Sequence, residues 1–330
     1  MDTAASCEAT TPAGGPLWQC CVQTDDVDAH AHAQPGWDLR YEQLSPGRFE
    51  GLVHHVQLPL ARLVRERCGV AVRQRGRFVE GSYGFAMALE ATEPAVFNGQ
   101  RVERDAVMLG RNGELDLCTP AGYALIGIVI DGELLAPLWE RLYGKAPSAW
   151  MESHLVVPAR SAVADALRAL HLKAMDDAGT WLAGAGAAPD DTAARQLRDA
   201  LLIEWFEALP PTVDASALPS AVARKRLVDR ACALMLSQPE EPLSMLEVCR
   251  RVGASRRKLN YCFQDVLGTS PVKYLRAVRL NGVRRELRIG MLSVQDVAAR
   301  WGFWHLGQFA RDYKRQFGEL PSHTRRDAPR

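Results

Sequence analysis

Apolar residues recur every three or four positions through the C-terminal third of the chain, and the pattern occurs twice. The first copy begins at Ser244 as SMLEVCRRVG, and the second begins at Ser293 as SVQDVAARWG. Each serine is suited to cap a helix, and the glycine nine residues later is suited to the tight turn that ends it. The repeat therefore predicts one structural unit, a helix–turn–helix, used twice.

The two copies also agree beyond these glycines. Matching apolar and turn-forming positions recur fifty residues apart, namely Leu259 with Phe309, Phe263 with Tyr313, Gly268 with Gly318 and Pro271 with Pro321. Ser255 is expected to cap the second helix of the first unit. Between the units, Ser270 and Pro271 predict the start of a long helix that runs to about Ile289. Gly282 lies inside that helix, where it costs about 1 kcal/mol relative to alanine, so close packing is expected there.

These paired units resemble the C-terminal DNA-binding domain of AraC/XylS-type transcription regulators. The resemblance covers roughly residues 222–326 and includes the ending from Gly302 to Pro321. More narrowly, residues 279–287 (RLNGVRREL) and 301–309 (WGFWHLGQF) are similar to the ethanolamine-utilisation regulator of that family. The resemblance implies a transcription regulator, expected to be an activator, that binds double-stranded promoter DNA and contacts RNA polymerase.

Strand-like runs dominate residues 37–131. Short β-rich runs lie at 49–58, 68–73, 82–89, 106–109 and 123–130. Turn dipeptides stand at Asn98-Gly99 and Asn112-Gly113. Many short strands joined by turns predict a small antiparallel barrel or a double-sheet jelly roll. The family resemblance implies a cupin-like effector-binding β-barrel, and residues 43–51 (QLSPGRFEG) are similar to the opening of that domain in some members.

Helical patterns follow between residues 133 and 209. A short helix is predicted from Leu134 to Leu142, a longer one from Ser161 and a third from Asp191. Apolar stripes on the last two favour either packing on their own domain or a coiled coil between protomers. The predicted fold class is α+β: a cupin-like antiparallel β-barrel with appended helices, a linker, and an all-α domain with two helix–turn–helix units.

Charge divides the chain in the same way. The whole chain has a net charge of +1, whereas residues 221–330 hold 22 basic and 10 acidic residues. Only the C-terminal part therefore has the charge expected of a nucleic-acid-binding domain. We predict a loose N-terminal arm at 1–35, an effector-binding and dimerisation domain at 36–208, a proline-containing linker at 209–220 and a DNA-binding domain at 221–330.

The predicted base-reading residues lie on the second helix of each unit. They are Ser255, Arg256, Arg257, Asn260 and Tyr261 in the first unit and, by the family's pattern, His305, Leu306, Gly307, Gln308 and Arg311 in the second. Arginine can form two hydrogen bonds with guanine, and asparagine can do so with adenine. In the second unit, the helix that carries these residues is expected to start near Trp304. The sequence WHLG at 304–307 departs from the polar residues of many family members, which favours apolar contact.

Further cations of this domain are interpreted as phosphate contacts or as solvated side chains: Lys258, Arg276, Arg284, Lys314, Arg315, Arg325 and Arg326. Phosphate contacts fix the register of a protein on DNA without reading its sequence. Because one rigid helix joins the two units, both second helices are expected to face one side of the duplex, in successive major grooves about 34 Å apart.

The sequence predicts no metal site and no catalytic residue. Histidines and cysteines occur as close pairs without further spaced ligands: His30 with His32, His54 with His55, and Cys20 with Cys21. The first pair is expected to be solvated in the loose arm. Eight cysteines without a C-x-x-C pair suit reduced thiols in a cytosolic protein. A cysteine and zinc enzyme fused to a DNA-binding domain is the alternative from another class, although no catalytic motif supports it.

The remaining expectations concern location, effector and assembly. The N-terminus lacks the features of a secretion signal, and no apolar run is long enough to cross a bilayer, so a cytoplasmic protein without a membrane partner is predicted. No cofactor is predicted. The narrower resemblance implies ethanolamine and a cobalamin as candidate effectors; a regulator of another catabolic operon with a different effector is the alternative. The family resemblance also implies a homodimer formed through the first domain.

Overall fold

The computed structural model describes residues 17–77, 79–111, 114–143, 146–147, 150–151, 154–183, 191–209, 218–237, 243 and 245–326. Strands occupy the N-terminal half of this portion. They are β1 (Trp18–Thr24), β2 (Asp38–Gln43), β3 (Gly51–Leu58), β4 (Ala61–Cys68), β5 (Val72–Arg77), β6 (Ser82–Glu90), β7 (Ala95–Phe97), β8 (Gln100–Val102), β9 (Ala106–Gly110), β10 (Glu114–Thr119), β11 (Tyr123–Asp131) and β12 (Val156–Pro158).

These strands form two antiparallel sheets. One sheet has the order β1-β3-β4-β11-β6-β9-β12, and the other has the order β2-β5-β10-β7-β8. Each sheet has two edge strands, so the closed barrel predicted from the sequence is wrong, whereas the predicted pair of sheets is present. The strand β11 is buried on both faces, which explains its unbroken apolar sequence.

Helices cover the outer face of the seven-stranded sheet. The helices that the structure describes in this domain are α1 (Val27–His32), α2 (Gly132–Tyr143), α3 (Ser161–Ala183) and α4 (Asp191–Glu207), of which α1 packs instead against β2. Leu167 and Ala174 of α3 and Leu201 and Trp205 of α4 are buried in the same apolar cluster as Phe85 of β6. The apolar stripes of α3 and α4 therefore pack on their own domain. The homodimer stays a prediction.

The N-terminal arm is not loose over residues 17–35. Strand β1 pairs with β3 along its whole length, and Asp26 caps α1 by accepting hydrogen bonds from the backbone N–H groups of Asp28 and Ala29. An edge strand is held by backbone hydrogen bonds that leave no side-chain pattern, so the sequence did not reveal it. Residues 1–16, the Asn112-Gly113 turn and residues 210–217 of the linker lie outside the described residues.

The predicted strand at 68–73 is also wrong. Residues 69–71 turn between β4 and β5, and β4 itself was missed. Its buried positions include Glu66 among apolar residues, and this acid hides the alternation that predicts a half-buried strand. The Asn98-Gly99 turn is confirmed, because both residues have positive φ values, of 48° and 83°.

Two buried histidines predict a pH-dependent stability of this domain. Burial lowers the pKa of His55 to about 3 and that of His171 to about 4, whereas an unfolded histidine has a pKa of about 6.5. Their folded pKa values are depressed, so the stabilisation is complete above pH ~6.5 and is lost as the pH falls towards the folded values. As the pH falls from 7.5 to 5.5, each histidine should lower the free energy of unfolding by about 1.3 kcal/mol. Thermal unfolding of His171→Gln should show a pH slope weaker than that of wild type; equal slopes would contradict the assignment.

The C-terminal domain is helical throughout the described residues. Its helices are α5 (Leu218–Leu236), α6 (Met245–Val252), α7 (Arg256–Leu267), α8 (Pro271–Ile289), α9 (Val294–Arg300), α10 (Leu306–Phe317) and α11 (Pro321–Arg326). The helix α8 joins two clusters: Tyr274 and Val278 pack with α5 to α7, and Leu280, Val283 and Leu287 pack with α9 and α10. The predicted bridging helix is confirmed. No described helix is long and apolar enough to span a membrane.

Gly282 lies where Trp301, at the end of α9, packs tightly against α8. A Cβ atom built on Gly282 would lie 2.3 Å from atoms of the Trp301 ring, a distance that no real contact permits. The indole N–H of Trp301 donates a hydrogen bond to Glu286 at 3.1 Å, which holds the ring over the glycine. The close packing predicted at Gly282 is confirmed.

We expect Gly282→Ala to destabilise the protein. Displacing the Trp301 ring should cost about 1–3 kcal/mol, which exceeds or cancels the gain of about 1 kcal/mol in helix propensity. Gly307 of α10 is a matched control, because a Cβ atom there would meet nothing within 4 Å. Gly307→Ala should therefore be neutral or stabilising in the same denaturant titration. A stabilising Gly282→Ala would contradict the packing argument.

Candidate nucleic-acid interface and interior cavity

The first helix–turn–helix unit consists of α6, a turn and α7. Gly253 ends α6 with a φ of 71°, a conformation that favours glycine. The Ser255 hydroxyl caps α7 by accepting a hydrogen bond from the backbone N–H of Lys258 at 3.2 Å. The inner face of α7 packs Leu259, Cys262 and Phe263 against α5 and α6. These features confirm the predicted unit; Ser244 lies outside the described residues.

The second unit consists of α9, a turn and α10. The Ser293 hydroxyl accepts a hydrogen bond from the backbone N–H of Asp296 at 3.1 Å, and Gly302 has a φ of 73°. The helix α10 begins at Leu306, two residues later than predicted, and its N-cap His305 makes no side-chain capping bond. Trp304 precedes the helix and is 69% exposed, so it joins the candidate contact residues, from which the predicted set omitted it.

All ten predicted base-reading residues are exposed. They are Ser255, Arg256, Arg257, Asn260 and Tyr261 on the first unit and His305, Leu306, Gly307, Gln308 and Arg311 on the second. Exposed polar and aromatic groups in this position can reach base edges in a major groove. Their individual DNA contacts stay predictions.

A buried carboxylate orients the polar side chains of α10. Asp312 is 2% exposed and accepts hydrogen bonds from Gln308 at 3.0 Å, from Arg315 at 2.9 Å and from Arg276 of α8. The Gln308 amide oxygen in turn accepts from Arg311 at 2.9 Å. Asp312 therefore fixes which end of the Gln308 amide points outwards. The sequence did not reveal this role, because nothing near Asp312 marks it as buried.

The remaining cations divide into two groups. Lys258, Arg276, Lys314, Arg315 and Arg325 are exposed, as a phosphate contact requires. Arg284 is 8% exposed and lies between the two domains, so its interpretation as a phosphate contact or solvated side chain is wrong. The Arg326 side chain lies outside the described residues.

Ion pairs join α1 to α8 across the domain boundary. The buried Asp26 carboxylate lies 3.0 Å from the guanidinium of Arg284 and 2.8 Å from that of Arg288. Arg285 forms a further ion pair with Asp28 at 2.8 Å. The arginines of α8 that face the N-terminal domain thus pair with the acids at the start of α1, with further contributions from Glu42 and Glu319.

A second buried network joins β5 and β10 to the DNA-binding domain. Arg73 donates hydrogen bonds to both oxygens of Asp116, at 2.8 and 2.7 Å, and to the Tyr274 hydroxyl at 2.7 Å. Lys225 of α5 approaches Asp116 to 2.9 Å. Burial alone would raise the pKa of Asp116, but Arg73 and Lys225 hold it well below its usual value.

Amide groups complete the contact between domains. The Asn281 side chain accepts from the backbone N–H of Gln43 at 3.2 Å and donates to its carbonyl at 3.0 Å. The Gln43 side chain donates to the backbone carbonyl of Gln316 at 2.7 Å. These directional hydrogen bonds, together with the ion pairs, fix how the two domains pack against each other.

A narrow cavity lies between the two sheets of the N-terminal domain. Its walls are mostly apolar, and its polar lining residues include Gln34, Glu66 and Gln74. The space open to the centre of a water molecule is about 50 Å³, on a scale where one water needs about 10–15 Å³. The cavity thus has room for a few water molecules or for a ligand of similar size.

The polar side of this cavity is a hydrogen-bonded cluster around Glu66. Its carboxylate accepts from Tyr41 at 2.7 Å and from Gln74 at 3.1 Å, and lies 3.0 Å from Nε2 of His30. His30 is fully buried, so its predicted exposure to solvent is wrong; α1 folds it under the sheet. Burial alone would raise the pKa of Glu66, but His30 and the hydrogen bonds of Tyr41 and Gln74 hold it below its usual value.

Two buried cysteines of the N-terminal domain lack the properties of a reactive thiol. Cys68 and Cys118 are buried, and burial raises the pKa of both thiols. A nucleophilic cysteine needs the opposite shift, because the thiolate is the reactive form. Cys68 and Cys118 therefore lack the lowered thiol pKa that the fused cysteine enzyme, the alternative considered from the sequence, would require.

Comparison with known proteins now identifies the family. The Helix-turn-helix domain family matches residues 248–327. XylDLEGF operon transcriptional activator 2 of Pseudomonas putida is 32% identical over 133 residues, which are 38% of this chain and 85% of that protein. This chain belongs to the AraC/XylS family of transcription regulators.

Two further relatives of this AraC/XylS-family member match about a third of its length. The Probable thc operon regulatory protein of Rhodococcus erythropolis is 39% identical over 106 residues, which are 31% of this chain and 32% of that protein. A crystallised AraC-type transcriptional regulator of Chromobacterium violaceum is 31% identical, covering 33% of this chain and 96% of that chain with a TM-score of 0.31. The chain spans about a third of the length of the first of these relatives, and the narrower resemblance to an ethanolamine-utilisation regulator stays a prediction.

Proposed function

We propose that this AraC/XylS-family regulator is a transcription activator that reads promoter DNA with α7 and α10 and is controlled by a small effector in its N-terminal domain. The observation that carries the proposal is the repeated unit: two helix–turn–helix motifs joined by α8, each with its predicted base-reading residues exposed. A promoter partner and recruitment of RNA polymerase follow from the family.

In the proposed complex, α7 supplies the hydrogen-bonded readout. Arg256 and Arg257 stand at its start and Asn260 follows one turn later, so their side chains can reach guanine and adenine edges in one major groove. Ser255, the N-cap, and Tyr261, which is 62% exposed, flank them. Each well-placed bidentate contact contributes about 1–3 kcal/mol of discrimination against the wrong base.

The helix α10 is proposed to read its groove with a different chemistry. Trp304 and Leu306 are exposed apolar groups at its start, and apolar groups can contact the methyl group of thymine. Gly307 has open space where a Cβ atom would lie, which permits close backbone approach. Gln308 and Arg311 add polar contacts, with the Gln308 amide oriented by Asp312.

The effector is proposed to bind in the cavity beside Glu66. The cavity favours a ligand of a few heavy atoms with an apolar part and a cationic or hydrogen-bond-donating end that meets Glu66 or Gln34. Ethanolamine satisfies both conditions, whereas a cobalamin is far larger than this cavity. A different small amine or alcohol from another catabolic operon is the alternative. The effector acts by binding more tightly to one arrangement of the two domains than to the other.

Selection of genomic fragments tests the proposal. Purified full-length protein should enrich one promoter region, and ethanolamine should change the yield of that fragment, with a cobalamin tested separately. Enrichment without an effector response would retain the regulator and exclude ethanolamine. No enrichment at moderate salt would overturn the DNA-reading proposal itself.

Substitution of two arginines distinguishes base reading from phosphate contact. Arg257→Ala should change the preferred sequence and cost about 1–3 kcal/mol at the preferred site. Arg325→Ala, the matched control, should weaken binding to all sequences alike and reduce the salt slope by about 1. Identical sequence preferences for wild type and Arg257→Ala would contradict the role assigned to Arg257.

A further inference from the structure

Three side chains of the metal-ligating types meet beneath α1. Nε2 of His30 lies 3.0 Å from Oε1 of Glu66, and Sγ of Cys68 lies 3.7 Å from Nε2 and 3.8 Å from Oε1. The three residues are buried, and no other such group occurs among the described residues. We propose that His30, Glu66 and Cys68 bind a structural zinc ion.

The separations of the three atoms match a tetrahedral site. Zinc bonds of about 2.0–2.2 Å to nitrogen and oxygen and about 2.3 Å to sulfur place the ligand atoms roughly 3.3 to 3.6 Å apart at a tetrahedral angle. The N–O edge, at 3.0 Å, is shorter than this range, and the two edges to sulfur, at 3.7 and 3.8 Å, are slightly longer, so small side-chain adjustments suffice to admit the ion. The fourth ligand is a water molecule or the Tyr41 hydroxyl, which lies 2.7 Å from Oε1.

The surroundings hold His30 in the orientation that zinc requires. Its Nδ1 lies 2.7 Å from the Thr24 hydroxyl, the type of outer contact that fixes a ligating imidazole. Tyr41 and Phe49 pack edge-on against the ring, with centroids 5.3 and 5.2 Å away. A Cβ atom on Gly51 would lie 2.4 Å from Nδ1, so only glycine leaves room for this ring.

The hydrogen bonding around Glu66 also favours an ion. Its Oε1 atom is within hydrogen-bonding distance of His30, Tyr41, Gln74 and Cys68, which is more donors than the two lone pairs of one oxygen can accept. A zinc ion that bonds Oε1, Nε2 and Sγ replaces two of these contacts. Oε1 then keeps the Tyr41 hydrogen bond, and Gln74 stays bonded to Oε2 at 3.1 Å.

The chemistry of the three ligands selects the metal. One imidazole, one thiolate and one carboxylate suit zinc or cobalt, whereas calcium and magnesium prefer oxygen ligands alone. On binding, the Cys68 S–H bond breaks, its proton leaves to solvent and the sulfur bonds the metal. The thiolate and the carboxylate then balance both charges of the ion, so the buried complex is neutral.

The site ties α1 to β4. The same short helix presents Asp26 and Asp28 to Arg284 and Arg285 of α8, so a metal bound at His30 fixes the segment on which the DNA-binding domain docks. The inference shares Glu66 with the proposed effector site, and a zinc ion on Oε1 would leave Gln34 as the polar partner of the effector. Metal binding is measured without promoter or effector, so failure of the metal site and failure of the proposed function are distinguishable.

Cobalt titration of the full-length protein tests the site. After removal of bound metal, one equivalent of Co²⁺ should give thiolate-to-cobalt charge-transfer absorption and the visible bands of a tetrahedral ion, and Zn²⁺ should abolish both. Cys68→Ser should remove the charge-transfer band. Thr24→Val should weaken the affinity about tenfold by freeing the imidazole.

Cys21→Ser is the matched control, because Cys21 is an exposed cysteine outside the cluster, and it should retain both the stoichiometry and the spectrum. A charge-transfer band that survives Cys68→Ser, or wild-type protein that binds no stoichiometric cobalt, would overturn the proposal. Where circular dichroism shows that Cys68→Ser is unfolded, His30→Gln and Thr24→Val decide, and unchanged affinity in both would equally overturn it.

Discussion

Arg73→Ala should lower the free energy of unfolding by about 3–5 kcal/mol. The Arg73 guanidinium is fully buried and donates two hydrogen bonds to Asp116 and one to Tyr274. Its removal leaves the Asp116 carboxylate inside the protein with Lys225, at 2.9 Å, as the remaining cation. Denaturant unfolding followed by circular dichroism at neutral pH measures the loss.

A surface ion pair supplies the control for Arg73. Arg67 lies 3.9 Å from Glu90, and both side chains are about half exposed, so Arg67→Ala should cost no more than about 1 kcal/mol. Arg73→Lys should give an intermediate loss, because lysine keeps the charge but cannot form the two parallel hydrogen bonds. A loss below about 1 kcal/mol for Arg73→Ala would show that the buried pair contributes no more than a surface one.

Asp26→Ala should lower the free energy of unfolding by about 3 kcal/mol, the lower end of the range for breaking a buried ion pair, because the buried Arg284 then keeps only Glu319, at 2.8 Å, as a carboxylate partner. Asp26 is 1% exposed, lies 3.0 Å from Arg284 and also caps α1. Loss of the cap contributes about 1 kcal/mol of this total. Arg288, whose side chain is 39% exposed, should contribute little, since solvent screens its pair.

A double-mutant cycle isolates the contact between the domains. Asp26→Ala and Arg284→Ala, singly and together, should show a coupling of about 0.5–3 kcal/mol. The neighbouring Asp25→Ala is the matched control, because its side chain is 72% exposed, and its effect should stay within about 0.5 kcal/mol. Additive losses for the first pair would mean that docking does not depend on this ion pair.

The DNA-binding domain was predictable because its signals are local. Ser255, Ser293, Gly253 and Gly302 act on backbone groups within a few residues, and their spacing recurs twice in one sequence. The close packing at Gly282 was also predictable. A glycine inside a helix destabilises the helix, so its presence indicates that a neighbouring element packs closely there. The small error at the start of α10 arose because His305 does not cap its helix through its side chain.

The N-terminal domain was predicted less well because its evidence lies in strand pairing. The strands β6, β9 and β11 carry apolar runs that identify them. The edge strand β1 is held by its ladder with β3, and β4 carries the buried Glu66. Pairing between distant strands also decides whether a barrel closes, and no local pattern records it.

The sequence by itself determined the family, the two helix–turn–helix units, the division of charge along the chain and which residues of the second helix of each unit are exposed. The tertiary structure alone decided which charges are buried. Arg284 and His30 look like solvated groups in the sequence, and nothing near Arg73 marks it as buried. All three lie inside the protein because partners from 36 to 258 residues away meet them there. Burial of a charge depends on such distant partners, so a local pattern cannot report it.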